Sequence, residues 1–263
     1  MTADRWTQVV RQRLGLGRLL PLGLALDGAW ITEEAAGSVL RRETAAVEGV
    51  RLGALRIALA DPDRAGAPAV PPPPSALPPG PLRVTAEFRA SADPTALGVE
   101  PLPAVAARLR LAVVSAATRL LGLDVAEVDL RVTDLLEDED AVSSAGPACT
   151  DRGEPVAVPG DGARPAPVPK DPEEAGIAAA VLAVPGVTRL TDSLGRPVHV
   201  ESTPPDTEPA LPRRHVRVEL EVAGDERAVD VARAVRAAVT EAVRDNPSVA
   251  VLVTAVSEAT RPG

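Results

Sequence analysis

The sequence predicts a mixed α+β fold built from two repeated units, each with the order helix, strand, strand, helix, strand. Helical and strand patterns alternate along the chain, and the same order is found twice. About 30 residues rich in Pro, Gly and Ser separate the copies. In each unit the second helix permits a right-handed crossover that returns the last strand parallel to its neighbour. We therefore expect small mixed sheets, each covered by two helices.

Composition fits this fold and limits the functions available. The chain has 263 residues, of which 45% are hydrophobic, as in ordinary globular proteins with room for about two domains. Its aromatic residues are Trp6, Trp30 and Phe88, so the core must be aliphatic and stacking platforms for bases are scarce. The net charge of −9 opposes binding to phosphate backbones or anionic lipid, and we expect no nucleic-acid partner.

The first unit starts with a helix capped by Thr32, with Glu33 and Glu34 placed at the positive end of the helix dipole. Two strands follow, and the apolar residues of their alternating patterns are Leu55, Ile57 and Leu59 in one, and Leu82, Val84, Ala86 and Phe88 in the other. A tract of nine prolines, residues 62–81, joins these strands as a long hairpin insert. Its PxxP spacings could bind an aromatic groove, although a stiff, soluble loop is the favoured interpretation.

A second helix then places apolar residues at helical spacing and ends at Gly122, before a closing strand with alternating Val128, Leu130 and Val132. The second unit repeats this order. Asp171 is the predicted N-cap of its first helix, with Glu174 at the capping-box position.

The rest of the second unit follows the same plan. A weak strand region at 187–201 is split around Gly195 and Pro197. In the next strand, the residues predicted to point inward are Val216, Val218, Leu220 and Val222, and those predicted to point outward are Arg217, Glu219 and Glu221. A helix at 230–245 and a final strand complete the unit. Val113 aligns with Val239, Arg110 with Arg236, and Val128 with Val249.

These patterns predict four regions: an N-terminal segment at 1–30, a first domain at 31–136, a flexible linker at 137–170 and a second domain at 171–259. The length of the linker favours two modules over one domain with a shared sheet. A short amphipathic helix near Trp6 is expected to pack on its own domain, with contact to a membrane surface as the alternative.

The run ITEEAAGSVL, the following EGV turn and the stretch LPAVAARLRLAVVSAATRLLGLDVAEVDLRVTDL resemble the alkaline-shock and general-stress family of bacterial envelope stress response proteins. The first copy resembles it over 31–135. The second does so over 171–259 without the Ile-Thr pair. The tandem form is also similar to high-GC bacterial proteins labelled after a nucleopolyhedrovirus fibre protein. The resemblance implies a non-enzymatic, cytoplasmic protein, associated with a membrane at most peripherally or through a partner, and it implies no catalytic residues.

A search of the sequence for chemistry assigns no catalytic, cofactor-binding or metal-binding residue. No two glycines are three residues apart, which excludes the dinucleotide fingerprint and the GXXG clamp, and Lys170 follows Pro169, which excludes a Walker loop. His199 and His215 are predicted to be ordinary edge or surface residues and not a metal pair. Cys149 lies in the predicted linker, where nothing fixes it beside a base.

Three functional hypotheses follow. A scaffold or interaction protein, acting on a protein partner or by self-association through a sheet edge or helix face, is the leading one. A KH-like nucleic-acid-binding protein is an alternative suggested by the order of elements, which the acidic charge opposes. An enzyme with an unrecognised site is the third, and a deep polar pocket with perturbed titratable groups would be its sign.

Overall fold

The computed structural model describes residues 17–91, 101–136, 171–203 and 213–258, which form a mixed α+β fold with four α-helices and two mixed sheets. The helices are α1 (Glu33–Thr44), α2 (Leu102–Ala116), α3 (Pro172–Leu182) and α4 (Ala228–Ala242). The strands are β1 (Leu19–Leu22), β2 (Ala29–Thr32), β3 (Val50–Leu59), β4 (Leu82–Ser91), β5 (Val125–Leu136), β6 (Val187–Leu190), β7 (Val198–Thr203), β8 (Arg213–Val222) and β9 (Ser248–Val256). None of these helices combines the length and apolar character needed to cross a membrane.

The two sheets share a pattern of pairing. The smaller sheet has the order β3-β4-β5, with an antiparallel and then a parallel pair. The larger sheet has the order β1-β2-β9-β8-β6, and β7 also pairs with β8. Strands β6 and β7 are antiparallel to β8, whereas β9 is parallel to β8. The parallel return of the final strand, which the sequence predicts for each half, is present in both sheets.

The larger sheet contains strands from both sides of the predicted linker. Strand β2 pairs in parallel with β9, with Ile31 opposite Val253, and β1 pairs with β2 at the sheet edge. Residues 19–30, which the sequence analysis placed ahead of the first unit, therefore contribute to the sheet that contains the second half. Thr32 joins the two regions again, because its Oγ1 donates to the backbone oxygen of Thr254 over 3.0 Å.

Asp27 attaches the turn between β1 and β2 to helix α4. Its carboxylate accepts hydrogen bonds from Nε and Nη2 of Arg233, each over 2.9 Å, and from the backbone N–H of Leu24 over 2.7 Å. Chiefly because of the bonds from Arg233, the pKa of Asp27 lies below its ordinary value. Arg236 adds hydrogen bonds to the backbone oxygens of Leu26 and Asp27.

The main core is a largely aliphatic cluster that includes residues of all four helices and both sheets. The opposite face of the larger sheet is also covered. There Trp30, which is 1% exposed, packs with Leu19, Val70 and Leu252. The Pro-rich insert supplies Val70, and its Leu77 oxygen accepts a hydrogen bond from Trp30 Nε1 over 3.2 Å. The insert, predicted to be a soluble loop, therefore packs on the larger sheet.

Local signals account for the ends of the helices. Thr32 Oγ1 accepts a hydrogen bond from the Ala35 N–H at the start of α1, as predicted. Asp171 caps α3 through the N–H of Glu173, whereas Glu174, predicted to complete a capping box, lies 3.8 Å from Arg196 Nη1. Leu182, near the end of α3, is 50% exposed and lies outside the core.

Gly122 ends the second helix with a backbone that other residues rarely adopt. Its φ is 85°, and it follows a π-helical turn, Ala117–Leu121. A Cβ at this position would lie 2.7 Å from Val229 Cβ and closer still to Val229 Cγ1. Helix α4, which contains Val229, therefore packs closely against the end of the preceding helix.

We expect Gly122→Ala to lower the free energy of unfolding by about 2 kcal/mol or more, because it combines a strained φ with overlap against Val229. Gly176→Ala is the matched control. Gly176 lies in α3 with open space around it, so alanine should raise the free energy of unfolding by about 0.5–1 kcal/mol through helix propensity. Urea denaturation of both variants measures these changes. Equal effects at the two sites would contradict the predicted packing.

Candidate functional site

A cavity of about 710 Å³ opens beside the smaller sheet. Its walls come from the start of α1, the strands of the smaller sheet, the residues ahead of β1 and the Pro-rich insert. The lining residues are Gly17, Arg18, Glu33, Glu34, Arg41, Ala54, Leu55, Arg56, Ser75, Thr85, Glu87 and Arg131. Seven of these twelve residues are charged, four as arginine and three as glutamate, so the cavity presents both signs of charge.

Strand alternation places the polar groups on one face of the smaller sheet. In β4, Val84 and Ala86 point into the core, so Thr85 and Glu87 point to the opposite face. Glu87 lies opposite Arg131 of β5 in the register. The sequence predicted the apolar face of these strands correctly but assigned no role to the polar face, whose alternating charges were the available signal.

Glu33 fixes the wall of the cavity between α1 and β3. Its Oε1 accepts a hydrogen bond from the N–H of Ile57 over 2.8 Å, and its Oε2 accepts one from the N–H of Arg18 over 3.3 Å. Ile57 lies in β3, an edge strand. The Glu33 carboxylate therefore satisfies a backbone N–H that could otherwise pair with a strand of another chain. Glu33 thus does more than complement the helix dipole, the role that the sequence predicted for it.

The other charged groups of the cavity are available to a ligand or partner. Within the described part of the chain, five charged residues of the cavity form no ion pair: Arg41, Arg56, Arg131, Glu34 and Glu87. The arginines are exposed. A concave surface that offers both guanidinium and carboxylate groups suits a partner whose own surface carries both signs, and it suits a polyanion poorly.

The sheet edges differ in how they are covered. At β1, the insert covers the edge, since the N–H of Leu77 donates to the Leu19 oxygen over 2.9 Å. At β5, no described strand lies on the side away from β4. There the side chain of Arg110 donates a hydrogen bond to the Val128 oxygen over 3.2 Å. Of the β1 and β5 edges, that of β5 is the one with no described backbone segment paired along it.

Glu219 does not line this cavity; it lies in the larger sheet and is fully buried, although the sequence predicted that it points outward. The opposite face of β8 is also covered, by the segment between β6 and β7, which explains the error. The N–H of Leu194 donates to Glu219 Oε2 over 2.8 Å, and Arg217 Nε lies 3.6 Å from Oε1. Burial raises the pKa of Glu219 to about 7 despite these partners.

Among the residues considered for chemistry in the sequence, the two histidines are diagonal neighbours on paired strands. His199 and His215 lie on adjacent strands, and His215 Nδ1 is 2.9 Å from Ser248 Oγ. Burial lowers the pKa of His215. Among the described residues, no group of three or more His, Cys, Asp or Glu side chains could hold a metal ion. Cys149 and the rest of the predicted linker, residues 137–170, lie outside the described residues.

Glu173 also has a structural partner. Its carboxylate lies 2.5 Å from Arg214 Nη2, which connects the start of α3 to β8.

We expect Glu219→Gln to flatten the pH dependence of stability. The folded pKa of about 7 exceeds the ordinary value of 4.5, so the folded state binds the extra proton between these pH values. Wild-type stability should therefore fall from pH 5 to pH 8, by up to about 3 kcal/mol from this group. Urea denaturation at both pH values measures it, with exposed Glu241→Gln as the control. An unchanged pH dependence in Glu219→Gln would contradict the assignment.

Comparison of the chain with protein families, curated proteins and solved structures found no match. The resemblance to the alkaline-shock and general-stress family, and what it implies about activity and location, stays a prediction.

Proposed function

We propose that this protein is a non-enzymatic interaction protein or scaffold, and that it acts in the cytoplasm beside the bacterial envelope under stress. The observation that supports it is the cavity on the polar side of the smaller sheet, where Arg41, Arg56 and Arg131 face the same space as Glu34 and Glu87. Mixed charge of this kind provides specific pairing with a protein surface. Location and the link to stress rest on the family resemblance alone.

We further propose that the two halves are copies of one unit. The first half runs helix, strand, strand, helix, strand, whereas the second half has two strands, β6 and β7, where the first has β3. In both halves an antiparallel pairing is followed by a parallel one. One aligned pair supports this proposal, since Val113 on α2 and Val239 on α4 are both fully buried. On this proposal, β5 and β9 are corresponding strands.

The KH-like alternative receives less support than the protein-binding proposal. A nucleic-acid site needs a surface of predominantly positive charge, whereas three carboxylates line this cavity together with four guanidinium groups. The net charge of −9 also opposes binding to nucleic acid. The enzyme alternative requires perturbed titratable groups in a pocket, and Glu219, the carboxylate with a raised pKa near 7, is buried in the larger sheet away from the cavity.

Charge reversal in the cavity tests the proposal. In the native host, in-cell crosslinking with affinity recovery should yield a reproducible partner with the wild-type chain. Arg41→Glu combined with Arg56→Glu should reduce its yield roughly tenfold or more, since two attractive pairs become repulsive.

The matched control is Arg64→Glu combined with Arg119→Glu, which changes the same charge at exposed positions outside the cavity. The control should keep the partner. Equal recovery from all three proteins would contradict a role for the cavity, and a salt-dependent shift on RNA that the cavity variant abolishes would favour the nucleic-acid alternative.

A further inference from the structure

The free edge of β5 differs from the corresponding edge in the larger sheet. Strand β9 lies between β8 and β2, so both of its sides are paired. Strand β5 pairs with β4 and has no described strand on its other side. The aligned arginines reflect this difference, because Arg236 of α4 binds the β1–β2 turn, whereas Arg110 of α2 binds the Val128 oxygen of β5 itself.

The sequence of β5 is complementary to itself when read in the antiparallel direction about Leu130. In that register Val128 lies opposite Val132, Asp129 lies opposite Arg131, and Leu130 lies opposite its own copy. The pairs therefore match apolar to apolar and acid to base. Centring the register on Arg131 or on Asp129 would instead place like charges against each other, so the charges favour the register about Leu130 over its two neighbours.

The two faces of the strand also match across such a pair. Val128 and Leu130 are partly buried against the core, and Val132, at the same parity, is 45% exposed. Asp129 and Arg131 lie on the polar side, where the Asp129 side chain is 61% exposed and 3.7 Å from Arg83 Nε. A second β5 strand would thus cover Val132 and add a partner of opposite charge to Asp129.

Edge strands are commonly protected by charges that repel another strand. The charges at the centre of β5 have opposite signs, so on self-pairing they attract. We infer that β5 pairs antiparallel with β5 of a second copy of this chain about Leu130, forming one continuous six-stranded sheet from two three-stranded sheets. The bond from Arg110 to Val128 is exchanged for backbone bonds between the strands. This inference rests on the proposed scaffold function and names a partner for it.

Two complementary variants of the full chain test the register. Arg131→Glu and Asp129→Arg each place like charges opposite one another twice in the homodimer, and each should weaken self-association roughly tenfold or more. An equimolar mixture of the two variants restores both acid–base pairs in a heterodimer. Sedimentation velocity over a concentration series should therefore show the wild type and the mixture associating over the same range, and each variant alone associating only at concentrations roughly tenfold or more higher.

Arg64→Glu, an exposed reversal outside β5, is the control and should associate like the wild type. Thermal unfolding of each variant checks that it is folded. Association unchanged in both single variants, or a mixture that stays monomeric, would overturn the pairing. A wild-type chain that is monomeric at every concentration would overturn it too, while leaving the partner of the charged cavity to be tested by crosslinking.

Discussion

The parallel pairing of β2 with β9 is the constraint on which the arrangement of the molecule depends. Three residue pairs, from Ala29 with Val251 to Ile31 with Val253, connect parts of the chain more than 200 residues apart. Thr32 is central to this junction, since its hydroxyl accepts a hydrogen bond from the Ala35 N–H and donates one to the Thr254 backbone oxygen. One fully buried side chain thus starts the first helix and attaches it to the last strand. Such a contact closes a very long loop, so its entropic cost must be offset by burial around it.

That burial comes from both faces of the larger sheet. On one face, aliphatic residues of all four helices join the main cluster. On the other, the Pro-rich insert covers Trp30 and accepts a hydrogen bond from its indole N–H. Proline restricts the unfolded chain, which lowers the entropic cost of holding so irregular a segment against a sheet. The insert thus acts as a cover for the sheet edge and face, a role that its composition did not reveal.

Much of the fold could be predicted from local patterns, and the failures share a cause. Thr32, Asp171 and Gly122 mark helix ends through backbone chemistry that depends only on neighbouring residues, and the apolar alternation of β4 identifies its buried face. Glu219 was placed in solvent because alternation predicts which face a residue occupies and not whether that face is covered. The β2–β9 pair joins distant segments, which no local periodicity predicts. The alternating charges of the smaller sheet indicate its polar face, but the cavity also needs residues from α1 and the Pro-rich insert.

The central claim is that β2 and β9 belong to one cooperative structure across the two halves of the chain. Native-state hydrogen exchange on the full-length protein measures this directly. The amides of Ile31 and Val251, the latter donating to the Gly28 oxygen over 3.0 Å, should exchange only through global unfolding, with equal free energies. Exchange of the β2 amides by local opening, at a free energy well below that of β9, would contradict the account.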